Sequence, residues 1–192
     1  MKGIITEIER FSLKDGPGIR TTVFFKGCNM RCLWCHNPET FRTAPQLLFY
    51  EEKCMGCGAC AAACRQGARR MENGRLTLDR DLCTGCGDCA DVCFSGALAL
   101  SGREMSVEEV MEEVRQDLPY YRNSGGGVTL SGGEAAFQPE FALELLQELR
   151  REGVAAALET NLLAPWEVYE KLLPELDLLM FDVKLFDTEA HR

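Results

Sequence analysis

No stretch of the chain approaches the roughly twenty uninterrupted apolar residues that a membrane-spanning helix needs, so a membrane is not expected as a partner. The opening residues, MKGIITEIER, lack the apolar core of a secretory signal, and the sequence reads as soluble and cytoplasmic. No arginine-rich run offsets the formal net charge of −9, which would grow more negative as thiols ionise; nucleic acid is therefore excluded as a natural partner. Long polar tracts are also missing. With 46% hydrophobic residues in 192, the chain can bury the core of one medium domain and a small second one.

Cysteine, by contrast, is abundant: there are eleven. In a secreted chain of this size they would read as disulfides, but the missing signal and their tight clustering favour metal. They divide into groups of three, four and four. The first group lies in Gly27–Cys35, GCNMRCLWC, where Cys28, Cys32 and Cys35 form Cys-x3-Cys-x2-Cys directly after the β-prone run Thr21–Phe25. Three thiolates on one short loop hold three corners of a cubane iron–sulfur cluster and leave the fourth iron open, whereas a closed cluster takes four. The alternative is a zinc site short of one ligand, although structural zinc wants four ligands and paired hooks.

The other two groups belong to an internal repeat between about Tyr50 and Leu100. Cys54, Cys57, Cys60 and Cys64 recur 29 residues later as Cys83, Cys86, Cys89 and Cys93, and Gly67-Ala68 recurs as Gly96-Ala97. Each half is Cys-x2-Cys-x2-Cys-x3-Cys, a ferredoxin spacing in which the fourth cysteine serves the other cluster. That crossing predicts one cluster on Cys54, Cys57, Cys60 and Cys93, and another on Cys83, Cys86, Cys89 and Cys64. Gly56, Gly58, Gly85 and Gly87 let the backbone wrap each cubane. The proline that often follows the fourth cysteine is replaced by Arg65 and Phe94. Zinc is again the competing ligand set.

Elsewhere the pattern is strand and helix in alternation. Residues 1–10 alternate imperfectly and predict a short edge strand. Asp15-Gly-Pro-Gly18 predicts a tight loop. After Ser101-Gly102, a capping box at Ser106 and Glu109 opens a helix whose stripe runs from Val107 through Val114 and Leu118 to Tyr121. Pro139 opens a second helix that Gly153 ends, and a third runs from about Pro165 until Pro174 stops it. Four βα-type strands are predicted at Thr21–Lys26, Val128–Ser131, Val154–Leu158 and Leu178–Val183, which makes the fold class α/β with a parallel sheet. In such folds reactive groups gather beyond the carboxyl ends of the strands. The cysteine loop follows the first strand, Gly132-Gly133-Glu134 the second, Glu159-Thr160-Asn161 the third, and Asp182 and Lys184 the fourth. Each motif alone also has a plainer reading: a turn for the glycines, an ion pair for Asp182 and Lys184, a local hydrogen-bonding role for His36.

The cysteine spacing, Trp34 before the last cysteine, His36-Asn37 after it, and Asp15-Gly-Pro-Gly-Ile-Arg20 upstream resemble the radical S-adenosylmethionine (SAM) enzymes. Within that superfamily they resemble the glycyl-radical-enzyme activating enzymes typified by pyruvate formate-lyase activating enzyme. The resemblance implies a partial (β/α)6 TIM-type barrel, about four of whose six strands are present, carrying an inserted ferredoxin-like bis-[4Fe–4S] domain. The implied layout is a barrel over 1–45 and 101–192, with the insert over 46–100. It implies three [4Fe–4S] clusters in all. The cluster on Cys28, Cys32 and Cys35 would be the catalytic one, its open iron chelated by SAM.

By the same resemblance His36 and Asn37 lie beside the adenosyl group, Trp34 is a further cofactor-binding residue, Gly132, Gly133 and Glu134 hold the SAM amino group, and Lys184 meets its carboxylate. Glu159, Thr160, the Met180 carbonyl and Asp182 would surround a monovalent cation, with Glu159 standing where the pyruvate formate-lyase activator has aspartate. The implied reaction is anaerobic: SAM is cleaved reductively to a 5′-deoxyadenosyl radical, which takes an α-hydrogen from a glycine of a partner glycyl radical enzyme. An electron donor such as flavodoxin or ferredoxin is implied too. The competing functions are a radical SAM enzyme acting on a small molecule or peptide, and a ferredoxin-like electron carrier. The strand count and the ending Glu189-Ala-His-Arg192 predict that the chain is the N-terminal part of a longer protein.

Overall fold

Eleven residues, Lys2–Ser12 (β1), run antiparallel to the β-branched and aromatic strand Arg20–Phe25 (β2), with Ile5 opposite Phe25 and Ser12 opposite Arg20. These two strands sit inside a six-stranded sheet in a computed structural model that describes residues 1–72 and 75–184. The other strands are Arg103–Ser106 (β3), Gly127–Gly132 (β4), Ala155–Thr160 (β5) and Leu178–Phe181 (β6), and the spatial order is β6-β5-β4-β2-β1-β3. From β2 to β6 the pairing is parallel throughout. The result is the mixed α/β architecture, with a parallel central sheet, that the strand–helix alternation implies.

Three elements differ from the sequence expectation. β1 is not an edge strand, because β3 adds to its outer side. The helical stripe after Ser106 is two helices, Val107–Arg115 (α1) and Leu118–Ser124 (α2), not one. Asp117 breaks it: its carboxylate is drawn to Arg10 and Thr21, and Pro119 occupies the first turn of the next helix. The last strand ends at Phe181, two residues early, so Asp182 and Lys184 follow it in irregular chain. The capping box at Ser106 and Glu109 forms as the spacing predicts.

Helices Pro139–Arg151 (α3) and Trp166–Leu172 (α4) complete this unit, α4 passing into a 3₁₀ turn at Leu173–Glu175 that contains Pro174. Their apolar stripes make the core. Phe141, Leu145, Leu146 and Leu149 of α3 pack with Val128, Leu130 and Leu158 of the sheet, and Phe141 meets Phe25 edge to face at 5.8 Å.

The chain divides into two compact units, Met1–Thr43 with the segment from Glu104 onward, and Ala44–Arg103. The second is built from two antiparallel pairs, Gln46–Phe49 with Leu98–Ser101 and Arg69–Glu72 with Arg75–Leu78, and two short helices, Ala59–Ala63 and Asp88–Asp91. Its small core joins Leu47 and Leu98 to Cys60 and Cys89. The ending Glu189–Arg192 lies outside the described residues. Among those described, no helix is long and apolar enough to cross a membrane.

Candidate cluster and cofactor cleft

Beyond the carboxyl ends of β2, β4, β5 and β6 lies a cleft of about 490 Å³. The loop after β2 contributes Cys28, Cys32, Cys35, Trp34 and His36 to its wall. The β4 turn contributes Gly132 and Gly133, the β5 turn Glu159, Thr160 and Asn161, and the segment after β6 Asp182 and Lys184. One open space therefore receives every residue of this unit assigned above to the cluster, SAM or the cation, except Glu134.

Backbone contacts fix the meeting of the first two loops. Gly133 donates its N–H to Phe25 O and Glu134 donates to Gly27 O, both at 2.9 Å. A Cβ on Gly133 would stand 2.4 Å from Gly27 O, and one on Gly132, whose φ is +107°, would stand 2.4 Å from Phe25 N. Only glycine lets the two backbones approach this closely. Arg31 folds back to donate to the carbonyls of Cys28 and Met30, each at 2.6 Å, which holds the cysteine loop in its curl.

Glu134 does not line the cleft. It is 1% exposed, and its carboxylate accepts from Thr160 Oγ1 at 2.9 Å, Asn161 N at 2.8 Å and Ala136 N at 3.1 Å. Burial pushes its carboxyl above the ordinary glutamate range, and these three donors work against that rise. It acts as an internal strut between the β4 and β5 turns, so of the Gly-Gly-Glu stretch only the glycines face the open space.

Asn161 was named in the sequence only as the last residue of the Glu159-Thr160-Asn161 motif, with no role of its own. Its Nδ2 donates to Asn29 Oδ1 at 2.9 Å and lies 3.7 Å from Cys28 Sγ, tying the β5 turn to the cysteine loop. The sole sequence signal was its place next to Glu159 and Thr160. Burial raises the Cys28 thiol above its ordinary value, with the Met30 N–H opposing. Asp15 also lines the cleft and accepts from Ser12 Oγ and Thr22 Oγ1, each at 2.6 Å. Arg20 is buried and donates to Thr129 Oγ1 and Val128 O at 2.6 Å, anchoring the Asp15–Arg20 loop to β4.

The four residues named for a cation, Glu159, Thr160, Met180 and Asp182, all line the cleft, and three of their side chains have a partner. Glu159 Oε2 accepts from Ser131 Oγ at 2.5 Å, Thr160 bonds Glu134 and Tyr169, and Asp182 pairs with Lys184 at 2.6 Å.

In the second unit, one small cavity is lined by Cys64, Cys83, Cys86 and Cys89 together with Leu47 and Arg69. The fourth cysteine of the first half thus stands with the first three of the second half. Cys64 sits among the N–H groups of Arg69, Ala68, Gln66 and Gly67; partial burial raises its thiol, but these donors outweigh it and bring the net value down. Cys93 is lowered similarly, first by Ser95. Among the described residues, no three His, Cys, Asp or Glu side chains close on a single-ion position.

A family model described as a 4Fe-4S single cluster domain matches residues 14–184. The chain is also similar to the (2S)-3-sulfopropanediol dehydratase activating enzyme of Klebsiella oxytoca, at 46% identity over 99% of this chain and 62% of that protein. It is 47% identical to the benzylsuccinate synthase activating enzyme of Thauera aromatica, over 98% of this chain and 59% of the relative. For the choline trimethylamine-lyase activating enzyme of Oleidesulfovibrio alaskensis the figures are 42%, 99% and 62%. The chain therefore spans about three-fifths of the length of these curated relatives. With a match covering nearly all of its described residues and relatives that are activating enzymes, the chain belongs to the 4Fe-4S single cluster domain family.

Proposed function

We propose that this chain is part of a SAM-dependent activating enzyme that generates a glycyl radical in a partner enzyme. The observation that carries this reading is the convergence of the three-cysteine loop with the ends of four parallel strands on one cleft. The residues present fit a site-differentiated cluster: three cysteines share a loop, and among the described residues no fourth cysteine lines the same space. When bound, that cluster and SAM supply the electron and the 5′-deoxyadenosyl radical that takes the glycine α-hydrogen.

The protein's part is positioning. Cys28, Cys32 and Cys35 would hold three irons, while the carbonyls of Gly132 and Gly133, which line the same cleft, would accept from the SAM ammonium. Lys184 attracts the carboxylate, and Trp34 and His36 flank the adenosine. Glu134 contributes from behind the wall by fixing Thr160 and Asn161. Glu159, Thr160, the Met180 carbonyl and Asp182 supply hard oxygen ligands for a monovalent cation. None of these side chains need move a proton in the hydrogen transfer.

In this reading the larger unit is a partial (β/α)6 barrel, and Ala44–Arg103 is a ferredoxin-like insert with two [4Fe–4S] clusters, giving three in all. The fourth ligands are crossed: Cys93 completes the set of Cys54, Cys57 and Cys60, and Cys64 completes Cys83, Cys86 and Cys89. Electrons would come from a flavodoxin or ferredoxin in an oxygen-free cytoplasm. The test is anaerobic incubation with SAM, a strong reductant and a candidate glycyl radical enzyme. The expected products are methionine, 5′-deoxyadenosine and a glycyl-radical EPR doublet on the partner. Absence of SAM cleavage with full iron content overturns the reading, and cleavage without the doublet on any glycyl radical enzyme points to a small-molecule or peptide substrate.

A further inference from the structure

Arg69 presents an unresolved electrostatic problem. It is 3% exposed, and both its Nε and one terminal nitrogen, Nη2, lack a hydrogen-bond partner among the described residues. Its guanidinium carbon lies 4.6 Å from the centre of the Phe49 ring. Stacking occupies the flat face of the group and leaves the in-plane N–H groups of Nε and Nη2 unused. A buried cation with idle donors is costly, and such groups are normally paired.

The cavity that Arg69 lines supplies no carboxylate to pair it. The side chains around it are Cys64, Cys83, Cys86 and Cys89, with apolar residues and small polar ones. The Gln66 amide oxygen and the Thr84 hydroxyl also line this space, but neither accepts from Arg69 Nε or Nη2, and the side-chain acceptors that remain are the cysteine sulfurs.

The internal repeat sharpens the point. Counting 29 residues on from Arg69 gives Leu98, just as Gly67-Ala68 gives Gly96-Ala97. Both residues open a strand straight after the repeated Gly-Ala, and both are buried, at 3% and 5% exposure. Two equivalent backbone positions thus carry a guanidinium in one half and an apolar side chain in the other.

We propose that Arg69 donates its in-plane N–H groups to sulfur of the cluster held by Cys64, Cys83, Cys86 and Cys89, and thereby makes it the higher-potential cluster of the insert. Hydrogen bonds to sulfur and local positive charge favour the reduced, more negative state of a cluster. An electron entering the insert then rests there in preference to the cluster on Cys54, Cys57, Cys60 and Cys93, where Leu98 occupies the equivalent position. The proposal rests on the crossed ligand sets above.

The test is a potentiometric EPR titration of the full chain, reconstituted with Cys28, Cys32 and Cys35 replaced by alanine to silence the third cluster. Iron content separates the two ideas: fewer than roughly eight irons with Arg69 intact refutes the ligand assignment, not the role of Arg69. With iron complete, Arg69→Leu should make one cluster at least about tenfold harder to reduce, a fall of about 59 mV for a one-electron couple, and leave the other unmoved. Arg69→Lys should recover part of the shift. Two unchanged midpoints, or two that fall equally, overturn the proposal. If Arg69→Leu loses iron, the protein with Arg69 intact still decides the matter after ¹⁵N-arginine labelling. An arginine-nitrogen coupling should appear by pulsed EPR on the signal that reduces first, and its appearance only on the second signal, or on neither, overturns the assignment.

Discussion

Glu134 and Asn161 are joined behind the cleft: Glu134 Oε2 accepts the Asn161 backbone N–H at 2.8 Å, and the Asn161 side chain passes the connection on to Asn29 at 2.9 Å. A buried carboxylate thus sets the position of a residue beside Cys28. The arrangement gives the β5 turn and the cysteine loop a common anchor that neither possesses alone.

Replacing Glu134 with Gln should expose this dependence. One carboxylate oxygen becomes a donor facing N–H or O–H donors, and the cost should be about 1–3 kcal/mol of stability. Because burial raises the Glu134 pKa in the folded state, that state holds the proton more tightly than the unfolded chain. Stability attributable to this group therefore falls as pH rises from the ordinary glutamate range through the raised folded value. Denaturant titrations at several pH values should show a smaller decline for Glu134→Gln than for the natural sequence. Parallel pH profiles would refute the assignment.

Asp117 should behave with the opposite sign. Its side chain is 1% exposed and takes a bidentate pair of bonds from Arg10, with a third donor in Thr21. Burial pushes its carboxyl up, but Arg10 and then Thr21 outweigh it and hold the net value below the usual aspartate range. The folded state thus binds fewer protons, and the stabilisation is present above the unfolded pKa and lost as pH falls through the folded one. Asp117→Asn should cost about 2–3 kcal/mol near neutral pH, with the gap narrowing in acid. A gap that widens in acid would sink the argument.

Alanine at Cys28, Cys32 and Cys35 together should abolish SAM cleavage and leave roughly eight irons per chain, those of the insert. Iron analysis and 5′-deoxyadenosine assay read the two effects separately. Continued cleavage by this variant would mean that the open-iron cluster has been placed on the wrong cysteines.

Alanine at Cys54, Cys57 and Cys60 should lower iron by about four or more atoms, because the halves exchange their fourth ligands and losing one cluster frees Cys93 beside its neighbour. SAM binding in the other unit should persist while partner activation weakens. Unchanged iron content contradicts the ligand sets.

Much of the fold was legible because its signals are local. The β-branched run at Thr21–Phe25, Pro139 and Gly153 around α3, and the Ser106–Glu109 capping box each specify their element from neighbouring residues. The break between α1 and α2 was not legible. The apolar stripe continues through it, and the interruption comes from Arg10, 107 residues away, competing for Asp117. β1 read as an edge strand because nothing in residues 1–10 announces that Arg103–Ser106 returns beside them. Glu134 looked like a ligand because it follows two glycines at a strand end, where only the folded chain reveals that its carboxylate is consumed inside.

By itself, then, the sequence determined the cysteine groupings, the parallel α/β pattern and the order of motifs along the strands, since loop spacing and periodicity are properties of adjacent residues. Tertiary structure alone decided that the Glu134 carboxylate turns inward while the Asn161 side chain reaches Asn29 and Cys28 of the cysteine loop. It also decided that Arg69 is buried beside Cys64, Cys83, Cys86 and Cys89 without a carboxylate. Each of these depends on contacts between distant segments, and on which buried polar groups find partners, quantities that no local pattern encodes.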